Sequence, residues 1–158
     1  MPVQVSTPSD REVVVERVVN APRALVFDCH VTPALMKRWL LGPEGWTMPV
    51  CEIDLKVGGA YRYGWRGVNG EEMFMSGEYR EVLAPERIVQ TQFFNDDPAS
   101  ETLVTLELIE RDGRTTIRNT MIYPSKEIRD FVLAQDMAYG MEAGYVRLDT
   151  LLPELAEA

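Results

Sequence analysis

The chain has 158 residues, 46% apolar and 26% charged, the proportions expected of one soluble globular domain with its own core. Its 16 lysines and arginines stand against 25 aspartates and glutamates, a formal charge of −9 that argues against nucleic acid or an anionic bilayer surface as a partner. Two cysteines and one histidine cannot build a zinc centre of the usual kind, and no apolar run is long enough to span a bilayer.

Residues 1–10, MPVQVSTPSD, hold two prolines, two serines and a threonine, and are expected to be a flexible tail ahead of a single domain over 11–156. They lack the basic and apolar regions of an export signal, which predicts a cytoplasmic protein with reduced thiols at Cys29 and Cys51. EVVVERVV, residues 12–19, is dense in β-branched side chains and reads as a strand. Asn20-Ala21-Pro22 then opens a short helix, since proline fits a first helical turn. Thr32-Pro33 repeats the signal, with Thr32 as N-cap, and Leu35, Met36, Trp39 and Leu40 give the second helix its apolar stripe before Gly42-Pro43 ends it.

Strand patterns follow. Residues 50–57 alternate apolar and charged side chains, and 60–66 place Tyr61, Tyr63 and Trp65 on one face. Asn69-Gly70 reads as a tight hairpin turn. Residues 71–83 form the next strand, in which Gly77 marks a bulge or bend. Residues 87–94 are another strand, 95–100 a polar loop, and 101–110 and 114–123 a hairpin around Asp112-Gly113. Ser125 then caps one long helix, whose stripe runs through Phe131, Ala134, Ala138, Met141, Tyr145, Leu148, Leu152 and Leu155 in steps of three and four. Pro153 should stop or kink its end.

A meander with one apolar face must cover that face, and the long helix is the element large enough to do so. The expected fold is α+β: a curved antiparallel sheet of about seven strands wrapped around a C-terminal helix, with two short helices after the first strand. A cavity opens where sheet and helix diverge.

Short blocks in a fixed order carry a family resemblance. They are Ala21-Pro22 with Val26-Phe27-Asp28, Met36-Lys37-Arg38-Trp39, Gly42-Pro43-Glu44-Gly45 and Cys51-Glu52-Ile53-Asp54-Leu55 with Gly58-Gly59. Ser76-Gly77-Glu78-Tyr79, Pro85-Glu86-Arg87-Ile88-Val89 and Gly140-Met141-Glu142 with Leu148-Asp149 complete them. Over roughly residues 12–152 the chain resembles the START-like, helix-grip superfamily, and within it the homologues of the activator of the heat-shock chaperone ATPase. It departs from that pattern at Trp39-Leu40, where two tryptophans are common, and at Gly144-Tyr145, where Gly-Trp is common. The chaperone-binding domain of the activators has no counterpart here, so the resemblance implies a fold and a cavity rather than chaperone activation.

The expected ligand-binding set is Trp39, Trp46, Tyr61, Tyr63, Trp65, Met75, Phe93, Met137, Met141 and Tyr145. Aromatic rings stack on flat apolar ligands, and methionines such as Met73 and Met75 adapt to varied shapes. The resemblance places Trp39 and Trp46 near the cavity mouth. The corresponding function is binding of a lipid, an isoprenoid or an aromatic polyketide in a cavity of at least ~300 Å³, with no cofactor, no metal and no membrane insertion. Ordinary core packing accounts equally well for Tyr61, Tyr63 and Trp65, and is the plainer account of Trp39, Trp46 and the methionines. One alternative is a cyclase or dehydratase using Glu52, Asp54, Tyr61 and Tyr63; another is a protein-interaction module with a chaperone or other partner. A homodimer is also left open. His30 alone makes no metal site, and neither a Gly-x-Ser-x-Gly elbow nor a phosphate-binding Gly-x-x-x-x-Gly-Lys loop is present.

Overall fold

The computed structural model describes residues 2–157, and among them eight strands and four helices. The strands are β1 (Gln4–Ser6), β2 (Glu12–Val19), β3 (Thr47–Ile53), β4 (Ala60–Arg66), β5 (Glu72–Leu83), β6 (Arg87–Phe94), β7 (Asp97–Arg111) and β8 (Arg114–Ile122). The helices are α1 (Arg23–Val31), α2 (Pro33–Trp39), α3 (Lys126–Ala134) and α4 (Met137–Ala156). All strands form one antiparallel sheet in the order β1-β2-β8-β7-β6-β5-β4-β3. The sheet curves around α4, as in the expected helix-grip architecture.

Alternation built this sheet. In β2, Val13, Val15, Arg17 and Val19 are buried; in β4, Tyr61, Tyr63 and Trp65; in β7, Thr102, Val104, Leu106 and Leu108. Their registers place these residues on one face, the face that meets the helices. The buried apolar side chains form two clusters. One gathers Trp39, Tyr61, Tyr63, Trp65, Tyr79, Tyr145 and Leu148 around α2 and α4. The other joins Val13, Val15, Val104, Met121 and Tyr123 beneath α3.

Four local features differ from the sequence expectation. Gln4–Ser6, inside the expected loose tail, pairs with Glu16–Val14 as a short edge strand. The first strand after the helices ends at Ile53, because Asp54 to Gly59 turn back on themselves through the bond from the Gly59 amide to Lys56 O. The tight turns are Asn95-Asp96 and Asp112-Gly113, all four residues at positive φ, so the strand after the first of them starts at Asp97 rather than at 101. Asn69-Gly70 instead lies in a longer loop closed by the Gly67 amide on Glu71 O.

The largest difference is the C-terminal helix, which is two helices. Asp136 adopts φ 59°, a left-handed conformation that ends α3 and starts α4 in a new direction. Phe131, on the expected stripe, is consequently exposed, while Tyr145, Leu148 and Leu152 are buried as expected. Ser125 does cap α3, its Oγ accepting from the Ile128 amide at 3.2 Å. Thr32 occupies the N-cap of α2 without a side-chain bond, and α4 continues past Pro153 to Ala156.

Candidate functional site

The inner face of the sheet is built as an aromatic ladder. Tyr61 and Tyr63 have ring centroids 4.8 Å apart, Tyr61 and Tyr79 5.4 Å, and Tyr63 meets the edge of Trp65 at 5.9 Å. Gly77 makes room for this ladder. A Cβ there would lie 1.9 Å from Thr91 O and 2.9 Å from the Tyr61 ring, and the Tyr61 hydroxyl donates to that same carbonyl at 2.5 Å. Burial pushes the Tyr79 phenol up to about 12 and raises those of Tyr61 and Tyr63 further. These hydroxyls therefore stay neutral at physiological pH.

Two tryptophans fasten α2 to this layer. Trp39 donates its indole N–H to Cys29 O at 2.9 Å, stacks on Tyr145 at 5.8 Å and meets the edge of His30 at 4.9 Å. Trp65 donates to Leu40 O at 2.7 Å. Gly144 permits the approach of α4: a Cβ would sit 3.1 Å from Trp39 O. Gly140, one turn earlier, faces open space. His30 bonds through Nδ1 to Val26 O at 2.8 Å, which makes Nδ1 the protonated nitrogen, and burial lowers its pKa to about 4.

A polar network lies between β2 and α4. Arg17, 6% exposed, spends all five N–H groups: two on Glu142, two on Asp149 and one that the Nη1 shares out to Val18 O, at 2.8–3.2 Å. The two carboxylates and the hydrogen bonds raise its pKa against the opposing effect of burial. Arg17 in turn holds Glu142 below the usual carboxylate range, and Glu142 accepts from the Val3 amide at 3.0 Å. Nearby, Asn119 donates to the Tyr145 hydroxyl at 2.9 Å.

Between the two apolar clusters runs a strip that is only half-buried. Gln90 sits in register between Tyr79 of one cluster and Val104 of the other. Met73, Met75, Gln92, Met137 and Met141 are likewise half-buried, and Met141 packs against both clusters. Gln92 follows Gln90 on the same face, and its amide makes no hydrogen bond among the described residues.

A hollow of about 560 Å³ lies on the opposite side of the sheet, away from α4. Ala60, Ser76, Gly77 and Thr91 floor it, with Tyr61 of the ladder reaching it beside Gly77, and Glu52, Arg62, Glu78, Arg80 and Phe93 wall it. It is polar, and Arg62 is already committed there to Asp96 at 2.9 and 3.2 Å, over the Phe74 ring at 4.7 Å.

Of the expected ligand-binding residues, Trp39, Tyr61, Tyr63, Trp65 and Tyr145 come together in one buried layer. Met75, Met137 and Met141 lie along the half-buried strip, and Trp46 packs at the edge of the first cluster. Phe93 is separated from them: its register with Ser76 puts it on the outer face, in the polar hollow. The carboxylates weighed for catalysis, Glu52 and Asp54, are exposed and do not approach the inner face of the sheet. Both cysteines are free and buried, and the described residues hold no cluster of three or more metal-ligating side chains. No helix among them is long and apolar enough to cross a membrane.

Pattern alone names no partner for Arg17, the charged residue among the valines of 12–19, and does not single out Gln90, Gln92 or Asn119. The signal for the first was available: Glu142 and Asp149 are seven residues apart, hence on one helix face, and Arg17 alternates with buried valines.

A curved antiparallel sheet closed by a C-terminal helix, with an aromatic inner face, defines the START-like, helix-grip class, a fold of ligand-binding and cyclase-like proteins. The chain belongs to the family described as activator of Hsp90 ATPase homolog 1-like proteins, whose model matches residues 20–153. A crystal structure from Rhodobacter sphaeroides is similar at 30% identity and TM-score 0.91, covering 98% of this chain and 99% of that one. Protein Ms6760 from Mycobacterium smegmatis is similar at 23% identity and TM-score 0.85, covering 96% and 97%. CalU16 from Micromonospora echinospora shares the fold at 18% identity and TM-score 0.64, covering 94% and 86%. No curated protein sequence matches the chain.

Proposed function

We propose that this protein binds a small apolar molecule, of the lipid, isoprenoid or aromatic polyketide kind, between the inner face of the sheet and the α3–α4 pair. The observation that carries this reading is the half-buried strip. A core serving stability alone gains from burying its apolar side chains fully. Here Met75, Met137 and Met141 stop halfway, beside a glycine, Gly140, that faces open space. Unbranched methionines swing aside at low cost, so a guest enters by displacing them rather than by filling a preformed void. The break at Asp136 lets α3 shift over the strip without disturbing α4. The Tyr61, Tyr63 and Tyr79 layer forms the far wall. Nothing in this arrangement sets an acid against a base, which supports binding over turnover, in a cytoplasmic setting.

Native mass spectrometry of the purified protein, followed by organic extraction, tests the reading. A retained apolar compound near one-to-one, with lower occupancy in Met141→Ala and Tyr63→Phe, is the expected result. An empty protein that also ignores a panel of lipids and flat aromatics would overturn it.

A further inference from the structure

The registers of the sheet allow every charged group on the inner face to be traced. Along β2, β4, β6 and β8, and along β7 as far as Leu108, the inward positions are apolar, hydroxylated or amide, with one exception, Arg17; Glu110, at the far end of β7, takes the next inward position and accepts from the Arg23 amide at 2.8 Å. Arg17 is therefore the one cation among the described strand residues that faces the proposed guest. A ligand carboxylate or phosphate would have one other buried cation among the described residues to draw on, Arg129 of α3, and that one is held by Asp130 Oδ1 at 2.8 Å and by Ser9 O at 2.7 Å. Arg17 is the one on the sheet face. It is unavailable, because a guanidinium has five N–H groups and all five are engaged within the protein. Its two partners carry more charge than it does: one cation beside Glu142 and Asp149 leaves the network at a net charge of −1. Glu142 is next in sequence to Met141, the residue that packs against both clusters. An anion beside that methionine would be desolvated without a counter-ion and would meet negative charge.

The polar groups that are available are neutral. The Gln92 amide makes no hydrogen bond among the described residues, and the Gln90 amide lies beside the Tyr61 hydroxyl. Each amide both donates and accepts, and so suits a carbonyl or a hydroxyl. Resting on the binding reading above, we infer that the guest is an uncharged molecule bearing carbonyl or hydroxyl groups, met by Gln90 and Gln92, and that fatty acids and other carboxylates are rejected.

A matched pair of probes isolates charge from shape: naphthalene-2-carboxamide and naphthalene-2-carboxylate, titrated into the full chain near neutral pH and followed by tryptophan fluorescence and amide chemical shifts. The amide is expected to bind at least ten-fold more tightly, with shifts at Gln90, Gln92 and Met141. A carboxylate that binds as tightly as the amide would overturn this inference and leave the binding reading standing. So would an anionic compound recovered from the purified protein. If neither probe binds and extraction yields nothing, both fall together. The half-buried Gln92 gives a safe variant: Gln92→Leu should shrink the preference for the amide at least three-fold at an unchanged unfolding midpoint. An unchanged preference would refute the role given to the glutamine.

Discussion

His30 gives the protein a pH dependence whose sign and size follow from its surroundings. The ring is fixed by its bond to Val26 O and by the edge of Trp39, and burial lowers its pKa from the usual 6.5 to about 4. The unfolded chain therefore binds more protons than the folded one across that interval. A base whose folded pKa is depressed contributes stability above its unfolded pKa and loses it as the pH falls toward the folded one. From about pH 7 to about pH 5 the loss attributable to His30 alone is about 2 kcal/mol, with a limit of about 3 kcal/mol at lower pH. Urea unfolding followed by tryptophan fluorescence at a series of pH values measures it. The chain also has 25 carboxylate side chains that titrate in the acid range, so the comparison must be with His30→Phe, which keeps a ring against Trp39. The difference between wild type and variant should fall steadily from pH 7 to pH 5. A flat difference, or one that rises on acidification, would refute the argument from burial.

Arg17→Met should cost about 3 kcal/mol, because it strands two carboxylates, one of which, Asp149, is partly solvated at 42% exposure. Replacing Glu142 and Asp149 with leucine in the same variant should recover most of that loss; an unfolding midpoint that stays low would contradict it. Gly77→Ala should destabilise by about 2 kcal/mol or more, since its methyl collides with the Thr91 carbonyl of the neighbouring strand β6, and a wild-type midpoint would refute the close approach. Gly140→Ala should stabilise by up to about 1 kcal/mol through helix propensity, whereas Gly144→Val should destabilise by about 2 kcal/mol against Trp39. Thermal melts of the two variants, side by side, decide it.

What could be read in advance was whatever repeats along the chain. β2, β4 and β8 announce themselves by alternation, and the tyrosine stripe follows directly from the two-residue period of β4. The helix break escaped for the same reason. A stripe in steps of three and four continues across one left-handed residue, and Asp136 is neither glycine nor proline. The turns were misjudged where side chains decide: Asn95-Asp96 takes the tight conformation that Asn69-Gly70 does not. Phe93 was misplaced because Val89 and Phe93 make the more apolar alternation of β6, whereas the sheet turns the other set, Ile88, Gln90 and Gln92, inward. Arg17, Gln90 and Gln92 are the polar exceptions in apolar runs. Their partners lie on other elements, so only the assembled sheet reveals them.

An open sheet, unlike a closed barrel, has two rims. One rim is β1, three exposed residues long and too short to template another chain. The other is β3, which carries Pro49 and a register shift between Thr47 and Val50. Proline has no N–H to offer, and an irregular rim presents no continuous row of donors and acceptors. Strand-by-strand growth into fibres is thereby discouraged at both ends. The protein can therefore be held at high concentration without neighbouring copies adding to its sheet.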